Sequence, residues 1–309
     1  MNVFKEWKGI GDRYKNLCVG LGNFDGLHVG HRQLISRMVN ISRKSCGVSS
    51  VLTFYPHPLQ VLSPGNAPPM LLSQSSKQKM IAAMGVDLLL QVPFTADFAD
   101  LSPEEFITGV LCRELKVSSV FVGFNYTFGR GGRGTPHFLQ RAGKEYGFSV
   151  YIIPAVEVDG VSVSSTLIRT LIADGEVAEA GKMLGYCPFI EGEVVVGEMR
   201  GRTLGFPTAN INLNEEILVP CNGVYAVKVQ VDGDNYLGVA NIGTKPTFHG
   251  ELMKRNLEVH LLDFYGDLYG QRIKVFFTRR LRGEKRFSSP GELVDQIRID
   301  ISQARFEFH

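Results

Sequence analysis

From residue 17 to about residue 185, short β-branched and apolar runs alternate with amphipathic stretches of helical period, the pattern of a parallel sheet with crossover helices. It predicts strands at residues 17–21, 50–54, 87–92, 119–122 and 149–153, and helices at 31–43, 74–84, 103–115 and 137–146. Ser102 with Glu105 three residues on reads as a capping box, and Gly85 and Gly147 read as helix stops. The expected class for this half is α/β and Rossmann-like.

After Ile190 the helical period gives way to β-branched alternation, at residues 193–197, 223–231, 236–241, 257–264 and 273–277. Asp232-Gly233 between two such runs signals a tight hairpin, because Asp-Gly tolerates the positive φ angles that the turn needs. Helical spacing returns only at 289–306, with Leu293, Ile297 and Ile301 on one face and Pro290 near the start. The expectation is a small antiparallel β-barrel with a terminal helix. Gly185 and Pro188 interrupt both patterns, so the expected domains are 1–186 and 187–309.

The length of 309 residues fits two domains of roughly 150 residues each. Hydrophobic residues at 44% and charged residues at 21% are ordinary for a folded chain and exclude disorder. Lys and Arg at 33 against Asp and Glu at 31 leave +2, too little to draw the whole chain to nucleic acid or to a membrane. Any phosphate site must therefore be local. Cys18, Cys46, Cys112, Cys187 and Cys221 are odd in number and form no C-x-x-C pair, so they are expected to be reduced and mostly buried thiols. Residues 1–15 lack the apolar run of a signal peptide, and no stretch approaches the roughly 18 apolar residues of a membrane span. These features predict a soluble cytoplasmic protein and leave open whether it is a monomer or a weak oligomer.

The first strand runs into Gly22-Asn-Phe-Asp-Gly-Leu-His-Val-Gly-His31, which opens the first helix. Gly22, Gly26 and Gly30 allow close backbone approach to a ligand, and helix-start N–H groups favour an anion. His28 and His31 lie three apart, so both imidazoles can face one side and donate to phosphate oxygens. An isolated H-x-x-H equally describes a metal pair or two turn histidines, although no third ligand with metal spacing is visible. Phe54, Pro56, His57 and Pro58 follow the second strand at the carboxyl edge, where open α/β sheets bind ligands. His57 is as well explained there as an ordinary loop residue. Asn125 follows the fourth strand, Arg130 and Arg133 lie among glycines in a basic loop, and Ser164-Ser165-Thr166 caps a helix carrying Arg169.

With these residues in view, the stretch resembles the HxGH nucleotidyltransferases. The segments 53–58, 122–129 and 164–169 narrow the resemblance to the N-terminal module of bifunctional riboflavin kinase/FAD synthetases. The resemblance implies that Gly22, Phe24, Asp25, Gly26, Gly30, Ser165 and Thr166 contact ATP and its phosphates. It implies catalytic roles for His28, His31 and Arg169, with the arginine neutralising transition-state charge. Phe54, Pro56, His57, Pro58, Asn125 and Phe128 are then the flavin side, with Asn125 where the family more usually has Asp. The implied reaction is attack of an FMN phosphate oxygen on the α-phosphorus of ATP, a transfer that rests on positioning and charge stabilisation.

Residues 192–210 are dense in glycine, contain no Walker A sequence and end in Phe206-Pro-Thr-Ala-Asn210. A glycine-rich turn alone is a generic feature, and Glu258, alternating with Val259 on a strand, reads by itself as an outward-facing charge. The whole stretch resembles the riboflavin kinase pattern, as do 238–248, 257–270 and 281–287. By that resemblance the Gly201–Gly205 loop and Pro207 cover the nucleotide, and Thr208 and Asn210 hold Mg²⁺ and phosphate. Glu258 is then the general base for the terminal ribityl hydroxyl. His260, two residues on, reads as structural.

The resemblance runs from about residue 15 onward and implies a bifunctional enzyme that converts riboflavin to FMN and FMN to FAD with ATP and Mg²⁺. Three rival readings share parts of this pattern: a kinase with a weakened second half, a flavin or nucleotide sensor, and a class I aminoacyl-tRNA synthetase fragment. A sensor needs no general base, and the synthetase would need a lysine-rich K-M-S-K-S loop that the sequence lacks.

Overall fold

A computed structural model describes residues 1–197, 201, 204–246 and 253–307. Glu198, Met199, Arg200, Arg202 and Thr203 of the glycine-rich stretch, and Thr247 and Phe248 of the next motif, lie outside the described residues. The chain packs as two compact units, Met1–Ser165 and Thr166–His309.

In the first unit the strands are β1 (Asn2–Phe4), β2 (Leu17–Leu21), β3 (Val48–Phe54), β4 (Leu88–Val92), β5 (Val117–Gly123) and β6 (Ser149–Ile153). They form one parallel sheet in the order β1-β4-β3-β2-β5-β6. β2 through β5 are buried along almost their whole length, which explains why they are rich in Val, Leu and Phe and show no strict apolar/polar alternation. The connecting helices are α1 (Ile10–Arg13), α2 (Val29–Lys44), α3 (Pro58–Leu62), α4 (Gln74–Ala83), α5 (Ala96–Ala99), α6 (Pro103–Glu105) and α7 (Pro136–Tyr146). The capping box at Ser102 and Glu105 is present, and α6 continues through wide π-type turns over Phe106–Glu114. From β2 the chain proceeds to β3 on one side and later to β5 on the other. This is the switch point at which open α/β sheets bind ligands beyond their carboxyl ends. A short antiparallel pair, β7 (Glu157–Val158) and β8 (Val161–Ser162), follows β6.

The second unit opens with α8 (Ser165–Asp174), which begins at the unit boundary, and α9 (Val177–Leu184). A closed antiparallel barrel follows: β9 (Phe189–Val195), β10 (Ala209–Ile211), β11 (Gly223–Val231), β12 (Asp234–Pro246), β13 (Met253–Leu261) and β14 (Arg272–Arg282), in the order β10-β13-β12-β11-β14-β9. The Asp232-Gly233 hairpin forms as expected, with both residues at positive φ and Val231 paired to Asp234. β13 begins four residues earlier than the alternation suggests and ends at Leu261, because Asp263 takes φ +56° and turns the chain. The inward residues of all six strands form one apolar core. The terminal helix α10 (Pro290–Phe306) is tied to β14 by Arg282, whose guanidinium donates to both carboxylate oxygens of buried Asp300 at 2.8–3.1 Å. All five cysteines are free, but the expectation that most are buried does not hold: Cys18 is buried, Cys112, Cys187 and Cys221 are partly exposed and Cys46 is exposed.

Candidate active sites

The Gly22–His31 turn leaves β2 at the switch point and enters α2. His28 is the N-cap of α2: its Nδ1 accepts from the His31 N–H at 3.3 Å. With Nδ1 committed as acceptor, the neutral ring carries its proton on Nε2 as a donor. Gly30 permits this fold-back, since a Cβ there would meet the His28 ring at 3.2 Å. The two imidazoles stack with centroids 3.6 Å apart, and the Phe24 ring meets His31 edge-on at 5.3 Å. Burial pushes the His28 pKa down to about 4, and burial together with His28 and Lys77 holds His31 well below its ordinary value. Both rings are therefore neutral near pH 7, and His31 Nδ1 is buried without a hydrogen-bond partner among the described residues. A buried nitrogen left unsatisfied in an anion-favouring turn is a group poised for a ligand.

The turn itself is held from several sides. The Asp25 carboxylate accepts from the Leu71 N–H at 3.1 Å, and Ser165 Oγ donates to the Asp25 carbonyl at 3.0 Å. Thr53 Oγ1 donates to the Asn23 carbonyl at 3.0 Å, and buried Lys77 reaches the same carbonyl from α4 at 3.1 Å. Of the remaining expected residues, Gly22 and Gly26 lie in the turn, and Thr166 and Arg169 lie on the first turns of α8. His57 caps α3, its Nδ1 accepting from Leu59 N–H at 3.2 Å, beside Pro56 and with Pro58 as first helical residue. Its Nε2 lies 3.4 Å from the Asn23 amide nitrogen, so the second segment meets the first. Phe54 and Phe128 belong to a buried aromatic chain running through Phe98 and Phe106, with neighbouring centroids 5.0–5.9 Å apart. Asn125 is exposed on the turn after β5. Arg130 is held against Asp100 on the surface, its Nε donating to the Asp100 carbonyl at 2.9 Å.

In the barrel, β10 and β13 pair so that Asn210 stands directly opposite Glu258, and β12 brings Asn241 opposite Glu258 from the other side. Directly opposed residues share a face. Ala209, Ile211, Leu257 and Val259 point into the core, so this polar row lies on the outer face of the barrel. Asn256 donates its amide to Glu258 Oε1 at 2.8 Å and lies 3.5 Å from Asn210 Oδ1. It is a site residue that sequence reading missed, although its i,i+2 spacing from Glu258 on a strand was the available signal. Gly197 leaves room for the Asn210 side chain, which a Cβ at that position would strike. The Gly201 carbonyl accepts from Leu204 and Phe206 N–H at 3.1 and 2.8 Å, and Thr208 follows directly, with Gly205 at φ +86° completing the turn. His260 Nδ1–H donates to the Pro207 carbonyl at 2.8 Å, which gives this histidine a structural task. Thr208 and Asn210 carry side-chain oxygens of the hard type that Mg²⁺ accepts when phosphates complete its shell.

Residues 12–167 match the family model described as FAD synthetase, and residues 184–308 match the one described as riboflavin kinase. The chain is 42% identical over 286 residues to the bifunctional riboflavin kinase/FMN adenylyltransferase of Escherichia coli strain K12, covering 92% of this chain and 90% of that one. To the protein of the same description from Bacillus subtilis strain 168 it is 38% identical over 288 residues, covering 93% and 90%. A crystal structure described as a macrolide-efflux protein from Streptococcus pneumoniae is 35% identical, covers 98% of each chain and superposes with a TM-score of 0.88. Among the described residues of the present chain, no helix is long and apolar enough to cross a membrane.

Proposed function

The chain belongs to the family of bifunctional riboflavin kinases/FMN adenylyltransferases, and from that membership we propose how its own residues divide the two reactions. The kinase half is residues 187–309 and the adenylyltransferase half residues 1–186. In support, each motif set is largely contained in one compact unit: the Asn210–Glu258–Asn256 row in one, the His28–His31 turn with its supports in the other.

In the kinase half, the terminal ribityl hydroxyl of riboflavin attacks the γ-phosphorus of ATP. A new O–P bond forms, the bond to ADP breaks, and Glu258 takes the hydroxyl proton. Asn256 donates to one Glu258 oxygen and so orients the other toward the substrate. Thr208 and Asn210 would hold Mg²⁺ with the phosphates, and His260 pins the Pro207 carbonyl just before Thr208. Bound Mg²⁺ supplies Lewis-acid polarisation of the transferred phosphoryl group.

In the adenylyltransferase half, an FMN phosphate oxygen attacks the α-phosphorus of ATP and pyrophosphate leaves. His28 donates from Nε2–H, and His31 offers its unsatisfied Nδ1 to the same polyphosphate. Backbone N–H groups at the start of α2 add their dipole, and Ser165 and Thr166 contact phosphate. Arg169 neutralises the charge that builds on the leaving pyrophosphate. Phe54, Pro56, Pro58, Asn125 and Phe128 border the flavin, with His57 locking their loop. The protein acts in the cytoplasm on these small molecules, binds no nucleic acid and needs no membrane.

Incubation of the purified chain with riboflavin, ATP and Mg²⁺, followed by chromatographic separation of the flavins, tests the reading. FMN is expected first and FAD after it. No conversion would overturn the reading, and FMN without FAD would leave only the kinase half.

A further inference from the structure

Lys77 is 1% exposed, and a charged amine without water is costly to keep unless it has work to do. It sits on α4, and its Nζ lies 3.1 Å from the Asn23 carbonyl and 3.4 Å from Thr53 Oγ1. The turn it touches is conformationally expensive: Phe24, Gly26 and Leu27 take φ of +50°, +79° and +40°, two of them with side chains that disfavour that region. Such a backbone persists only where its surroundings over-determine it. Here Leu71 and Ser165 fix Asp25, while Thr53 and Lys77 fix Asn23, in the turn that leads into His28, the N-cap of α2.

We propose that Lys77 is a positioning residue for FMN adenylylation: from beneath the turn its ammonium clamps the Asn23 carbonyl, and so sets the direction in which His28 and His31 meet the nucleotide phosphates. The proposal rests on the assignment of that turn to adenylyl transfer. A hydroxyl could serve as a neutral clamp, and Thr53 already does so on the same oxygen. The cation adds a positive charge that never meets solvent, behind a cradle built for an anion. Burial brings the Lys77 pKa down to about 8, while the charge of Asp25 opposes that fall, so the ammonium persists at pH 7. It acts in turn on His31; with His28 and Asp25 these are the titratable groups that face one another across the loop, α2 and α4.

The test uses the full-length chain. In Lys77→Met, which keeps length and loses charge and donor, kcat for FAD formation from supplied FMN is expected to fall on the order of tenfold to a hundredfold. The KM for FMN should change by less than about threefold, since the flavin side is untouched. Riboflavin phosphorylation by the same preparation stays at the parent rate, and proton NMR places the His31 titration midpoint higher than in the parent. Lys77→Arg, which restores cation and donor, should recover part of the lost kcat. A folded Lys77→Met with parental kcat and an unmoved His31 midpoint would overturn the proposal. If that variant does not fold, as judged by the emission of Trp7, Thr53→Val is read instead. It weakens the clamp on Asn23, so an unchanged kcat sinks the idea and a fall of about threefold or more supports it. His28→Ala is measured alongside: undiminished FAD formation in that variant would instead remove the site assignment on which the proposal stands.

Discussion

Asn210 and Glu258 stand directly opposite each other across β10 and β13, on the outer face of the barrel, with the Asn256 amide within hydrogen-bond distance of both. The pairing register enforces this meeting, and a one-residue slip of β10 would turn Asn210 into the core. The proposed general base and the proposed metal-side amide are thus fixed by backbone pairing, and Asn256 holds one oxygen of the carboxylate.

Glu258→Gln keeps the shape and the Asn256 contact and removes the base. FMN formation should fall on the order of a hundredfold to ten-thousandfold. FAD formation from supplied FMN should remain within experimental scatter of the parent. Chromatographic rates of the two conversions, measured separately on one preparation, decide the matter; equal loss of both would refute independent sites.

Asn256→Ala removes the amide that holds Glu258 Oε1 and leaves the carboxylate in place. The expected result is a kcat for riboflavin phosphorylation lower by about tenfold, with the KM for ATP nearly unchanged. A parental kcat would mean that Glu258 needs no lateral support.

Much of this architecture is legible in the residues. The Asp232-Gly233 hairpin and the capping box at Ser102 are local signals, and both form as read. β10 was not legible, because three residues after a proline and a threonine carry too little periodicity to declare a strand. Its pairing to β13 spans nearly fifty positions and is set by barrel closure. β1 is equally short and lies at a sheet edge. Lys77 escaped for a different reason: on α4 it reads as one more polar position, and its partners lie 24 and 54 residues away. His28 and His31 could be picked out by spacing and glycine context, but their stacking and neutrality follow from burial, which a local pattern does not contain.

Asp300 is 2% exposed and accepts from Nε and Nη2 along one edge of the Arg282 guanidinium, with Gln296 donating to Oδ1. Removing Asp300 takes the bidentate partner from the partly buried Arg282, which keeps its bond to the Gly283 carbonyl. Asp300→Ala should therefore cost about 1.5–3 kcal/mol. Denaturant titration followed by riboflavin phosphorylation measures it, and a shift below about 1 kcal/mol would show that the pair merely decorates α10.

The acid limb of stability should belong to the histidine turn. His28 has its folded pKa lowered from 6.5 to about 4 by burial. As pH falls below 6.5 the unfolded chain takes up a proton that the folded chain refuses until about pH 4, so stability is complete above 6.5 and is lost between those values. A displacement of that size is worth about 3 kcal/mol at full protonation of the unfolded state. Trp7, the single tryptophan, lies in the same unit and packs on Phe98 at 5.4 Å, so its fluorescence reports the unfolding of that unit. His28→Asn keeps a capping oxygen for the start of α2 and removes the titrating ring. Urea midpoints recorded by Trp7 emission from pH 7.5 to 4.5 should fall steeply in the parent and less steeply in His28→Asn. Equal slopes would assign the acid sensitivity to other groups, and FAD formation, lost in the variant at every pH, would still report the separate role of the ring as a phosphate donor.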